Sequence, residues 1–259
     1  MTRTSNNKGV YGIFATFEPA DLDFYRSYLP PTLSMPEKPL VNFYMAEVGL
    51  KSRLTRFYEG GVLILCERNG DLGWAEVGVP LNNPLVFLFA TIFMGSNKLM
   101  CRKICFEKEG DGWTAEVKRL RKGWKLEFTP KPMSEMDGLE PWQEAWLAGR
   151  KYVAQITEPR FMISKISRKV HVLDWTPVFP GNNTMIQTGT AQLTVDPGQE
   201  FSSLVKSGSE APAVFLRAGI PLARDVIQNA WSDGFFGTKI SKIPALIGLK
   251  AKPPVRWGA

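Results

Sequence analysis

The chain has 259 residues, 44% hydrophobic and 22% charged, the composition of a globular protein able to bury a sizeable core. Net charge is +7, but the basic residues are dispersed, and only "KRLRKGWK" (Lys118–Lys125) forms a tight cluster. With no helix-turn-helix, zinc-finger or RNA-binding signature beside it, that cluster reads as a solvated strand end or hairpin, and no nucleic-acid partner is expected. Cys66, Cys101 and Cys105, odd in number and without zinc-site spacing, read as reduced thiols, and a single histidine, His171, rules out a site of several imidazoles. G-x-S-x-G elbows, Walker loops and G-x-G-x-x-G fingerprints are absent from the sequence, so neither a metal nor a cofactor is expected.

Along the chain, residues 1–9 form a polar arm with no apolar signal region behind it. "PADLDFYRSYLP" predicts a short helix, with Asp21 near its start, Leu22, Tyr25 and Leu29 on one face and Pro30 stopping it. Strands are predicted at Leu40–Leu50 and at "GGVLILCERN". Gly73–Pro80 alternates, which places Trp74, Glu76 and Gly78 on one face of a strand and aims a carboxylate at an apolar interior, where its pKa is expected to rise. Leu85–Met94 is a nearly unbroken apolar run, about half of the ~20 residues a membrane-spanning helix needs, so no integral membrane segment is expected. Gly95-Ser96 breaks the run just before Asn97 and Lys98. A lysine in that place is either a snorkelling surface charge or a desolvated amine poised for carbonyl chemistry.

Further strands are predicted at "GWTAEVKRL", at Trp124–Phe128, at "RFMISKISRKVHVLDW", where His171 lies on one face, and at "TAQLTV". Helical spacing marks Glu140–Val153 and "FLRAGIPLARDVIQNAW", and residues 240–259 form a basic, Pro-rich tail. Asn182-Asn183-Thr184 fits a glycosylation sequon but reads as a turn. No repeat, linker or composition shift divides the chain, so residues 1–259 are expected to form one β-rich α+β domain, located in the cytoplasm.

Four pieces of this pattern resemble the acetoacetate decarboxylase superfamily. "ADLDFYRSYLPPTLSMPEKPLVNFYMAEVG" is similar to that family's N-terminal helix, Leu-Pro turn and following strand. "GDLGWAEVGVPL" resembles its aromatic-x-Glu strand, and "NNPLVFLFATIFMGSNKL" sits where the family has a proline, a helix and its Pro-Lys-Lys-Leu motif. "TGTAQLTVDPGQEFSSLV" with "PLARDVI" resembles its C-terminal strand and final helix. The resemblance implies curved antiparallel sheets forming a barrel-like pocket with a few flanking helices. It also implies a lysine that attacks a β-keto acid, this family being the standard example of an amine freed by its surroundings.

The lysine pair is broken here. Anchoring on Gly95 makes Lys98 the nucleophile and leaves Leu99 in the second lysine's place. The ungapped register from Pro84, which we prefer, puts Asn97 at the nucleophile position and Lys98 at its helper. The resemblance further matches Glu76 to an active-site glutamate, Tyr44 to a second glutamate and Tyr11 to an arginine. The expected site therefore has Glu76 and Lys98 as catalytic groups, with Tyr11, Tyr44, Trp74, Phe89, Phe93 and Asn97 binding substrate. That set implies an enzyme that cyclises, isomerises or eliminates an apolar carbonyl compound without an imine. A Schiff-base lyase using Lys98 and a non-catalytic small-molecule binder are the alternatives, and any of the three is compatible with a homo-oligomer.

Overall fold

The computed structural model describes residues 9–29, 33–49, 56–68, 71–93, 98–119, 122–132, 155–157, 171–173, 185–199 and 201–218. In chain order these give β1 (Gly9–Phe17), α1 (Leu22–Arg26), β2 (Val41–Gly49), β3 (Phe57–Arg68), β4 (Asp71–Leu81), α2 (Pro84–Phe93), β5 (Lys98–Met100) and β6 (Lys103–Glu109). They continue with β7 (Gly112–Arg119), β8 (Lys122–Pro130), β9 (Gln155–Thr157), β10 (His171–Leu173), β11 (Met185–Val195) and β12 (Glu210–Ala218). The strands form one sheet in the order β10-β9-β4-β3-β2-β1-β12-β11-β8-β7-β6, with β5 also paired to β4. The pairs along this path are antiparallel except β4 with β9; the added β4–β5 pair is also parallel.

The sheet curls until its far arm meets its near one. Phe43 of β2 stands edge-on to Trp124 of β8, with ring centroids 5.4 Å apart. Gly60 of β3 is a point of close approach: a Cβ there would lie 2.7 Å from Val117 and 2.8 Å from Trp124. Inside the curl lies the main core, with Ile13, Phe43, Met45, Ile64, Leu126, Leu193 and Phe215 fully buried. Each such side chain contributes on the order of 1.5–3 kcal/mol through burial, which drives a strand-rich sequence to roll up rather than stay flat. This is the curved, barrel-like sheet architecture that the strand rhythm and the resemblance together imply.

Asp21 caps α1, its carboxylate accepting from the backbone N–H groups of Asp23 and Phe24, both at 2.9 Å. The helix is shorter than its sequence pattern predicts, and Leu22 is 42% exposed while Tyr25 and Leu29 are buried. Tyr25 anchors it: the phenol sits between the carbonyls of Leu40 and Leu65, which ties the helix to the start of β2 and the middle of β3.

The first four residues of the predicted helix Phe215–Trp231 are instead the end of β12, paired to β1 on one side and β11 on the other. A run such as Val214-Phe215-Leu216 has no period that separates a buried strand from a buried helix, and sheet pairing wins. Glu140–Val153, most of the predicted strand at 160–175, residues 219–231 and the 240–259 tail lie outside the described residues. His171 does begin a strand, β10. The polar arm ends one residue early, since Gly9 already pairs with Gly49. No helix among the described residues is long and apolar enough to cross a membrane.

Candidate active site

Alternation along β2 sends Val41, Phe43 and Met45 into the main core and turns Tyr44, Ala46 and Val48 to the opposite face. On β3 the second face carries Phe57, Glu59, Gly61 and Leu63. The register aligns Tyr44 with Gly61 and Ala46 with Glu59, so the Glu59 side chain is diagonal to Tyr44. Gly61 has no side chain because the Tyr44 ring lies across it: a Cβ there would be 2.0 Å from the ring. Phe14 of β1 stacks on the other side of that ring, with centroids 5.3 Å apart and planes within 10°. Held in this way, the Tyr44 phenol donates a hydrogen bond to Glu59 Oε1 at 3.1 Å.

Glu76 comes to the same face from β4. The β3–β4 register shifts between Val62 and Leu63, with Leu63 opposite Glu76 but Val62 opposite Gly78. Val77 is the extra residue of this bulge. Trp74 and Glu76 share a face as the alternation predicts, but Gly78 does not: it faces Phe201 and Leu99 in the main core, and Val79 and Leu81 take the second face. The bulge thus keeps Glu76 in line with Val79 and Leu81 despite their odd spacing.

Lys98 arrives by a crossover. Asn83 starts α2, its side chain accepting from the N–H groups of Leu85 (3.0 Å) and Val86 (3.2 Å), with Pro84 as the first helical residue. Asn82 accepts from the N–H of Tyr58 at 2.9 Å, which pins the helix start to β3. The helix covers the second face with Val86 and Phe87 and returns the chain parallel to β4, so that Lys98 pairs with Val79. Leu99 then points into the core and Lys98 to the side where the carboxylates are.

Lys98 Nζ donates to Glu59 Oε2 at 3.0 Å and lies 4.0 Å from Glu76 Oε1. The three side chains are 9%, 13% and 0% exposed in the order Lys98, Glu59, Glu76, so solvent reaches the group only at its Lys98–Glu59 edge. Burial is the largest single influence on Lys98 and pulls its pKa down, but Glu59 and Glu76 together outweigh it and hold the ammonium above its ordinary value of 10.5. Tyr44 is pushed well above 10.0, by burial first and then by Glu59 and Glu76, and therefore stays a phenol that donates.

Of the residues expected from sequence, Glu76, Lys98 and Tyr44 are brought together. Trp74 lies on the same face but packs with Leu40 and Leu65. Tyr11 does not join them: it lies on the core side of β1, edge-on to Phe106, Trp113 and Phe215 at 5.3, 5.1 and 4.7 Å. The odd positions of β1 face the core, and Phe14 is the residue β1 gives to the second face. Phe89 and Phe93 belong to α2, but their side chains, like all of Asn97, lie outside the described residues. Glu59 is the residue the sequence did not single out. Its only signal is the string "FYEGG", a carboxylate two residues before a glycine on a strand that pairs with the Tyr44 strand.

No family model and no curated protein sequence matches the chain. Solved structures do. An enduracididine biosynthesis enzyme, MppR, complexed with pyruvate superposes with a TM-score of 0.56 at 14% identity, covering 81% of this chain and 84% of that one. An acetoacetate decarboxylase from Legionella pneumophila gives 0.58 at 14% identity over 83% and 88% of the two chains. An acetoacetate decarboxylase-like enzyme from Sphingomonas wittichii gives 0.50 at 11% identity over 82% and 90%. The fold is acetoacetate decarboxylase-like.

Proposed function

On this acetoacetate decarboxylase-like fold, we propose an enzyme that acts on an apolar, carbonyl-containing small molecule by cyclisation, isomerisation or elimination, without an imine. One observation carries the reading: the Lys98 ammonium is held between Glu59 at 3.0 Å and Glu76 at 4.0 Å in a nearly closed site. An amine whose pKa exceeds 10.5 is neutral in fewer than about one molecule in 3,000 at neutral pH, which makes it a poor nucleophile and a good hydrogen-bond donor. This supports reading Lys98 as a buried, charged donor rather than as a snorkelling surface charge or a freed amine.

In the proposed reaction Lys98 donates to the substrate carbonyl oxygen. Glu76 removes the proton from the adjacent carbon, the electron pair of the broken C–H bond becomes the new C=C bond, and the C=O π pair moves onto that oxygen. The enolate-like oxygen is stabilised by Lys98 through a charge-assisted hydrogen bond. Collapse of the enolate then takes the Glu76 proton at another carbon, expels a group from the β-carbon that leaves with that proton, or attacks a second carbonyl within the same molecule, whose new alkoxide takes that proton. Tyr44 holds Glu59, and Glu59 holds Lys98. The steps use protons and side-chain charges only, so the proposal includes neither metal nor cofactor.

The test is borohydride reduction of the protein with a panel of ketones and β-keto acids, followed by intact-mass analysis, alongside exchange of ketone α-protons in heavy water followed by NMR. The expected result is no covalent adduct, with exchange lost by about ten-fold or more in Glu76→Gln, the scale of general acid–base catalysis. An adduct mapped to Lys98 replaces this reading with Schiff-base chemistry. Unchanged silence in both assays leaves only a binding protein.

A further inference from the structure

Resting on that reading of the cluster as a carbonyl site, we infer that the substrate is uncharged, and that Glu59 and Glu76 turn away analogues bearing a carboxylate, β-keto acids included. Two carboxylates and one ammonium meet in this group, an excess of one negative charge among the described residues. The described side chains packed on the same face do not correct it. Tyr44 stays neutral, and Phe14, Leu63, Val79, Leu81 and Phe87 carry no charge. Arg56 is engaged by Glu47, whose odd position on β2 places it on the other face from Tyr44 and Ala46.

Donor counting points the same way. An ammonium has three protons. Among the described residues Glu59 takes one at 3.0 Å, and Glu76, at 4.0 Å, attracts another without a hydrogen bond, which leaves at least one for a ligand. A ketone oxygen accepts that proton and adds no charge. A carboxylate in the same position would be a third anion around one cation, in a site where only the 9% and 13% exposed edges of Lys98 and Glu59 touch water. Like-charge juxtaposition out of water is among the strongest means of rejecting a ligand.

The probes are 4-phenylbutan-2-one and 3-phenylpropanoate, which share an aryl-ethyl body and a carbonyl and differ by a methyl group against an anionic oxygen. Dissociation constants for the full chain are measured by ligand-observed NMR near neutral pH. The ketone is expected to bind at least about ten-fold more tightly, and Glu59→Gln to narrow that ratio about three-fold or more. Equal or tighter binding of the carboxylate overturns the inference while leaving a carbonyl site in place. A ratio that Glu59→Gln leaves unchanged also overturns it, since the selecting charge would then not be Glu59. The wild-type comparison decides even where the variant fails to fold. Binding of neither probe removes the carbonyl site itself, and this inference with it.

Discussion

Replacing Lys98 by Met keeps most of the side chain's volume and removes only the charge, so the consequences can be worked from the distances. At an effective dielectric of about 20, charges 3.0 and 4.0 Å apart attract by roughly 5.5 and 4 kcal/mol. Most of that gross attraction is offset by the cost of bringing the ammonium and both carboxylates out of water. The net loss on deleting one partner of a buried pair is therefore about 3–5 kcal/mol, much of it from the carboxylates left behind. The cost should depend on pH, because acid offers those carboxylates a proton. It should also depend on Glu59: the double variant Lys98→Met/Glu59→Gln removes both charges of the closest pair and should recover a good part of the loss. Urea unfolding of the wild type, both single variants and the double variant, at about pH 8 and about pH 5, gives the coupling free energy directly. A Lys98→Met protein within about 1 kcal/mol of wild type at the higher pH, with no coupling to Glu59, would refute a buried ion pair.

Lys98 and Tyr44 both have raised pKa values, so each contributes stability that is present below its unfolded value, 10.5 or 10.0, and lost as pH rises through the folded one. Thermal melts should therefore fall off on the alkaline side of about pH 10, and Tyr44→Phe should flatten part of that slope while leaving the acid side alone. Gly61→Ala would put a methyl group 2.0 Å from the Tyr44 ring, and displacing the ring should cost about 1–3 kcal/mol and weaken the Tyr44–Glu59 hydrogen bond, read by urea unfolding and by the tyrosine absorbance under alkaline titration. Burial pushes the Cys101 thiol up to about 12, so in the native protein a thiol reagent at mildly alkaline pH should label the half-buried Cys105 and spare Cys101 and Cys66 until the chain unfolds. Peptide mass spectrometry after labelling checks which thiol reacts, and rapid labelling of native Cys101 would contradict its burial.

Period and punctuation were sufficient for the elements whose identity is local. The alternation of β2, β7 and β8 and the Asp21 cap of α1 are written in neighbouring residues, where side-chain spacing and capping act without help from the rest of the fold, while the helix after Asn83 was implied only by the resemblance. Glu76 and Lys98 were singled out through the resemblance to the acetoacetate decarboxylase superfamily, and the fold brings their charged atoms to 4.0 Å. The composition of the site was not written there. Glu59 reaches Lys98 across 39 residues, and Tyr44 reaches Glu59 only because Ala46 rather than a neighbour lies opposite it. Gly78 lost its predicted face, and Glu76 kept its own, through a single bulged residue. Tyr11 went to the core because β1 is paired so that Phe14, not Tyr11, lies beside Tyr44. Register moves every side chain of a strand from one face to the other when it slips by one residue, and it is set by burial summed over the whole sheet. That same summation bears on the charge of Lys98: in the sequence an amine beside an apolar wall reads either as a snorkelling charge or as a freed amine, and only the folded sheet supplies the two carboxylates that hold its pKa above the ordinary value.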